Sequence, residues 1–199
     1  HKISSLVMDM LSFSKDRKPE PSPSDIPALL AEIVETVKQR AEDAGISVHC
    51  TAPDNFPVIL CDTEALSRAI LNVVTNAIDA VEERADGKVD ITTEIDGERE
   101  VVQVRVTDNG PGIPAETLPH IFNLFVSTKG AKGTGLGLTV SQKILREHGG
   151  SISVESTATH GTCFTLSFPL LFSDQAASGG RGTVTDAQLP SDFDASIAP

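Results

Sequence analysis

Asp108-Asn109-Gly110-Pro111-Gly112-Ile113-Pro114 follows the strand-like run Val101 to Thr107. A carboxylate at such a strand end can accept a hydrogen bond from a buried exocyclic amine, and glycines beside it let a planar ring lie close to the backbone. That chemistry favours adenine over guanine. A second cluster, Gly133-Thr134-Gly135-Leu136-Gly137-Leu138, opens an apolar helix. Its unsatisfied N–H groups and the helix dipole suit a triphosphate. Upstream, Asn72-Val73-Val74-Thr75-Asn76-Ala77-Ile78-Asp79-Ala80 puts two amides on one helix face, one turn apart. Their carbonyl oxygens could ligate Mg²⁺ beside phosphates. Singly, each motif has a plainer reading: Asp-Asn-Gly is a strong turn signal, a glycine run can be a C-cap or hairpin, and a helix asparagine is usually solvated. The apolar neighbours Val73, Val74, Ala77 and Ile78 argue against a broadly exposed asparagine face. Taken together the three motifs read as a nucleotide site with base at one end and phosphate at the other.

The elements that must hold these motifs follow from periodicity. Ser24 can cap a helix with Ile26, Leu30, Ile33 and Val37 on one face, ending at Gly45. Ile46 to Thr51 and Val58 to Cys61 read as strands. Asp62 or Thr63 starts the asparagine helix, apolar at Leu66, Ala69, Ile70, Val73, Ala77 and Val81. Asp90 to Ile95 and Val101 to Thr107 form one hairpin across Asp96-Gly97, and Ile152 to Ser156 with Thr162 to Phe168 another. The fold class expected is a two-layer α/β sandwich, helices on a mixed, largely antiparallel sheet. At the start, Ile3, Leu6, Met10 and Phe13 have the spacing of a helix seam, so the chain reads as truncated there; a short amphipathic helix packed on its own domain is the alternative. Lys15 to Lys18 suit that helix's C-terminus and Pro19, Pro21 and Pro23 a stiff linker. The divisions expected are residues 1–18 as the helix end, 19–23 as the linker, 24–172 as the nucleotide-binding domain and 173–199 as a disordered tail of Ser, Gly, Ala, Asp and Pro.

Composition narrows the function classes. A 199-residue chain that is 39% hydrophobic can build a real core. Its formal charge of −12 argues against gripping nucleic acid or an anionic membrane surface. Cys50, Cys61 and Cys163 are odd in number and lack metal or disulfide spacing, so three buried thiols in a reducing compartment are expected. No apolar run approaches the roughly 18 residues of a membrane span, and no signal peptide is seen, so the chain is expected to be soluble and cytoplasmic.

With Phe122, Phe125 and Ser127-Thr128-Lys129 between the glycine clusters, the order of motifs resembles the ATP-binding catalytic domain of two-component sensor histidine kinases, over about Pro23 to Pro169. The resemblance implies that Asp108 binds the adenine amino group, that Gly112 flanks the ring, that Ala80, Gly110 and Ile113 also contact the nucleotide, and that Thr162 reaches adenine through water. It implies that Asn76 ligates Mg²⁺, with Asn72 one turn earlier helping to hold phosphates or metal. Lys129 and the loop from Thr134 through Gly135, Leu136, Gly137 and Leu138 would hold the phosphates. Lys129 and Lys132 can equally be solvated loop lysines, and Thr162 a plain strand threonine. Asp79 departs from the family, where a basic residue is common three positions after the metal asparagine; an aspartate cannot neutralise phosphate. Pro114 to Lys132 reads as a lid with Gly130 and Gly133 as hinges, although Ile121, Phe122, Leu124, Phe125 and Val126 could be core. In the family the lid phenylalanines contact the partner hairpin, and residues 1–18 would be the end of its second helix.

The resemblance implies transfer of the γ-phosphoryl of Mg·ATP to a histidine on a dimerisation hairpin outside this chain, for relay to a response regulator, in a homodimeric parent. Related hydrolytic ATPases and serine kinases carry glutamate where Asn72 stands, and an amide cannot be a general base at neutral pH. Two rivals remain: a nucleotide-binding regulatory module without phosphotransfer, and a hydrolytic ATPase of the same fold. His1 lacks the acidic residue and proline that follow the family's phosphoacceptor. His148 before Gly149-Gly150 suits a helix end, and His49, His120 and His160 lack partners at ligand spacing, so no histidine is expected to be catalytic.

Overall fold

A computed structural model describes residues 18–126 and 134–172. The elements run β1 (Ser22–Ser24), α1 (Ile26–Asp43), β2 (Ser47–Thr51), β3 (Ile59–Cys61), α2 (Thr63–Val81), β4 (Lys88–Asp96), β5 (Val101–Asp108), a 3₁₀ turn (Leu118–His120), α3 (Gly137–Glu147), β6 (Ser151–Thr157) and β7 (Gly161–Pro169). The main sheet has the order β2-β4-β5-β7-β6; only β2 and β4 are parallel. It is the mixed, largely antiparallel sheet with helices that the sequence pattern leads one to expect.

Period-two alternation decides which face is covered. In β5 the buried positions are Val102, Val104, Val106 and Asp108, with the intervening residues half-exposed. The covered face meets Leu66, Ala69, Ile70, Val73, Val74, Ala77, Ile78 and Val81 of α2 and the stripe Ile26, Leu29, Leu30, Ile33, Val37 and Ala41 of α1. Each fully buried aliphatic side chain contributes about 1.5–3 kcal/mol. A cap contributes about 1 kcal/mol. Burial therefore sets where α2 lies, while caps set only where it begins.

Three expectations change. The cap of α1 is Asp25, whose carboxylate accepts from Ala28 N at 3.0 Å. Ser24 is buried in β1, where its hydroxyl bonds Ser22 O, Cys61 O and the Thr63 hydroxyl. The expected linker is tied down: Ser22–Ser24 pair with β3, and Glu20 N donates to Asp62 Oδ2 at 3.1 Å. Of the cysteines only Cys61 is buried, and burial pushes its thiol pKa up; Cys163 is half-buried and Cys50 exposed. Cys50 lies on β2, an edge strand with little covering it. Residues 1–17, with the expected helix seam, and 173–199 lie outside the described residues, as do Ser127 to Gly133 with Lys129 and Lys132. Among the described residues no helix is long and apolar enough to cross a membrane.

Candidate nucleotide site

Asp108 ends β5 on its buried side, 3% exposed. Its Oδ1 accepts from Gly110 N at 2.8 Å and from Thr162 N at 3.3 Å, so the carboxylate is fixed by the turn after it and by the neighbouring strand. Thr162 pairs with Asp108 across β5–β7 and is 4% exposed. Its hydroxyl lies 3.0 Å from Ser156 Oγ. That serine also accepts from Ile113 N at 2.8 Å, tying the Gly112-Ile113 turn to the β6–β7 hairpin. Asn109, read from sequence only as a turn residue, accepts from Lys88 N and donates to Asp86 O, both at 2.8 Å, and so anchors the end of β5 to the start of β4.

The glycines here are close-approach positions. At Gly112, φ is +75° and a Cβ would lie 2.7 Å from Thr157 C. At Gly110 a Cβ would lie 3.2 Å from Ala80 Cβ, so the last turn of α2 touches the turn that follows Asp108.

The other end of the site is where α3 begins. Asp25 and Asp62 cap α1 and α2 by accepting from Ala28 N and Ala65 N, but Leu136, the N-cap of α3, makes no side-chain hydrogen bond to the first turn. An uncapped start opening on glycine leaves donors and the positive end of the dipole available to an anion. Asn72 lies against this start: its Nδ2 donates to Gly137 O at 3.3 Å and lies 3.5 Å from Ser141 Oγ. Ser141, fully buried, donates to Ala69 O and Gly137 O. Thr134 is exposed, Gly137 and Leu138 are half-exposed, and the Leu136 side chain is buried, so only its backbone can face a ligand.

Helix α2 joins the two ends. Asn72 meets the start of α3, Asn76 is half-exposed one turn on, and Ala80 meets Gly110. At about 1.5 Å per residue this face spans about 12 Å, enough to lay a base at one end and phosphates at the other. Among the described residues no three His, Cys, Asp or Glu side chains converge as a metal site. A Mg²⁺ ion here would rely chiefly on water and the ligand's own phosphates, with few oxygens from the protein.

The expected lid divides. Ile121 is core and Phe122 packs partly against it, while Leu124 and Phe125 are exposed, Phe125 by 66%. The segment is held to the α3 start: Thr139 Oγ1 donates to Phe122 O at 3.0 Å and Phe125 N to Gly135 O at 3.0 Å. Sequence reasoning missed Ser156, Asn109 and Thr139. For Ser156, the register of the second hairpin, which sets it opposite Thr162, was the available signal.

Residues 61–171 match the family model described as histidine kinase-, DNA gyrase B-, and HSP90-like ATPase. The chain is 34% identical over 169 residues to the sensor histidine kinase ZraS of Escherichia coli (strain K12), covering 85% of this chain and 35% of ZraS. It therefore spans about a third of that relative's length. Full-length ShkA, solved with AMPPNP, superposes with a TM-score of 0.77 at 30% identity, over 86% of this chain and 36% of that one. The nucleotide-free catalytic domain of the histidine kinase ThkA superposes with a TM-score of 0.69 at 31% identity, over 76% of this chain and 97% of that one. ThkA has also been solved in complex with the response regulator TrrA, with a TM-score of 0.71 at 29% identity, over 85% of this chain and 47% of that one. The chain thus belongs to the histidine kinase-, DNA gyrase B- and HSP90-like ATPase family and is a catalytic domain of the histidine kinase type.

Proposed function

We propose that this chain binds Mg·ATP between Asp108 and the start of α3 and, in its parent protein, transfers the γ-phosphoryl to a histidine on a dimerisation hairpin. The observation that carries this reading is the pairing, along one face of α2, of a buried carboxylate with an uncapped helix start. Asp108 accepts the adenine amine, Thr162 supports it through water, and Gly110, Gly112, Ile113 and Ala80 bound the ring. The N–H groups from Thr134 to Leu138, with Lys129 of the loop before them, hold the phosphates. Asn76 would hold Mg²⁺ through its amide oxygen; when bound, the cation supplies charge neutralisation at the phosphates. Asn72 braces Gly137 rather than activating water, since an amide cannot take a proton at neutral pH. Catalysis then rests on positioning and charge stabilisation. The imidazole nitrogen forms a bond to the γ-phosphorus as the bond to the β,γ-bridging oxygen breaks and ADP leaves.

Residues 1–18 are proposed as the end of that hairpin, 19–23 as the connection and 173–199 as a tail. The parent is proposed to be a cytoplasmically facing homodimer that passes phosphate to a response regulator, by analogy with ThkA and TrrA. The test uses γ-labelled ATP. The chain alone should bind ATP, more tightly with Mg²⁺ and without that Mg²⁺ effect in Asn76→Ala, yet should not label itself. A longer chain carrying the hairpin should label on histidine, with acid-labile, base-stable phosphate. Acid-stable label on serine or threonine would overturn the mechanism. ATP binding without label in the intact protein would favour a binding module, and steady phosphate release by the chain alone a hydrolase.

A further inference from the structure

The aspartate that stands where a cation would favour phosphate brings a cation with it from another helix. Asp79 lies three residues after Asn76 on α2, with a quarter of its side chain exposed. A carboxylate one turn from a phosphate-binding face repels each added phosphate charge, more strongly where water is partly excluded. Arg40, in the last turn of α1, reaches across the α1–α2 contact and forms an ion pair with Asp79; its guanidinium also lies 3.9 Å from Glu82, the C-cap of α2. The ion pair joins residues 39 positions apart, so the packing of α1 on α2 sets it, not local sequence. Near α1's C-terminus a cation is also favoured by the helix dipole.

We propose that Arg40 is a positioning residue for the polyphosphate. By pairing with Asp79 it neutralises and holds that carboxylate, so the face of α2 that carries Asn76 accepts ATP despite the aspartate. The proposal rests on the nucleotide reading given above. It predicts a dependence on phosphate number that a merely structural role would not produce.

The experiment is equilibrium binding of adenosine, ADP and ATP, with Mg²⁺ present, to the wild-type chain and to Arg40→Gln, Arg40→Lys, Asp79→Asn and the Arg40→Gln/Asp79→Asn double variant. Thermal melts would confirm that each is folded. Arg40→Gln should weaken ATP binding about fivefold, ADP less and adenosine not measurably. Arg40→Lys should keep most of the affinity, and the double variant should return ATP affinity to within about twofold of wild type, because the repelling charge has gone with its partner. Equal losses for adenosine and ATP, no loss in Arg40→Gln, or no rescue in the double variant would each overturn the proposal. If the wild-type chain itself failed to bind ATP, the nucleotide reading would fall first and this proposal with it.

Discussion

Asp108 shows what a buried carboxylate demands. One of its oxygens already accepts two backbone N–H groups, so truncation would leave buried donors unpaired as well as remove the proposed adenine contact. Asp108→Asn is the cleaner change, because the amide oxygen can keep both N–H partners while its NH₂ meets the adenine amine, donor against donor. ADP affinity should fall by at least about tenfold, while the melting temperature moves only a few degrees. Calorimetric titration beside a thermal melt separates the two effects, and unchanged affinity would move adenine elsewhere. Asp108, Gly110, Gly112 and the asparagines could be proposed from the sequence alone, because motif order and residue type point to them directly. Ser156, Asn109 and Arg40 were not, since their roles arise from register and helix packing between residues 21 to 43 positions apart.

Helix starts carry the contrast at the level of elements. Two of the three described α-helices begin at an aspartate that caps the first turn, and the third begins at Leu136, which cannot. Periodicity located α1 to within about two residues and the start of α2 to within one, because an apolar stripe survives any choice of cap; the choice of Ser24 over Asp25 failed because both residue types cap equally well in isolation. What precedes α3 was less legible. At Gly135 φ is +66° and a Cβ would lie 2.5 Å from Phe125 C, and Phe125 itself has φ +64°. Two left-handed residues ten positions apart thus lean on one another. Gly135→Ala should destabilise by at least about 1 kcal/mol, and should weaken ATP more than adenosine if, as proposed, the disturbed loop holds the phosphates. Gly97→Ala, at a position with nothing within 4 Å, is the control and should leave both unchanged. Differential melts and the same binding titrations would show it.

At the scale of the whole molecule, the two ends of the described chain meet on β3. Ser22–Ser24 pair antiparallel along it, and on its other side Leu60 N donates to Leu171 O at 2.7 Å while Ile59 bridges Phe172, again antiparallel. The two flanking segments therefore run the same way, the chain entering at one end of this ribbon and leaving at the other. Tension between the termini loads those hydrogen bonds side by side, in shear, instead of peeling them open one at a time. Stretching the chain by its ends should meet its highest resistance here, and Leu60→Pro, which removes an N–H from the ribbon, should lower that force. Because β3 runs straight into Asp62, the cap of α2, and Asp62 is also held by Glu20 N, a tug on the segment before β1 is delivered to the base of the asparagine helix like a load on a lever.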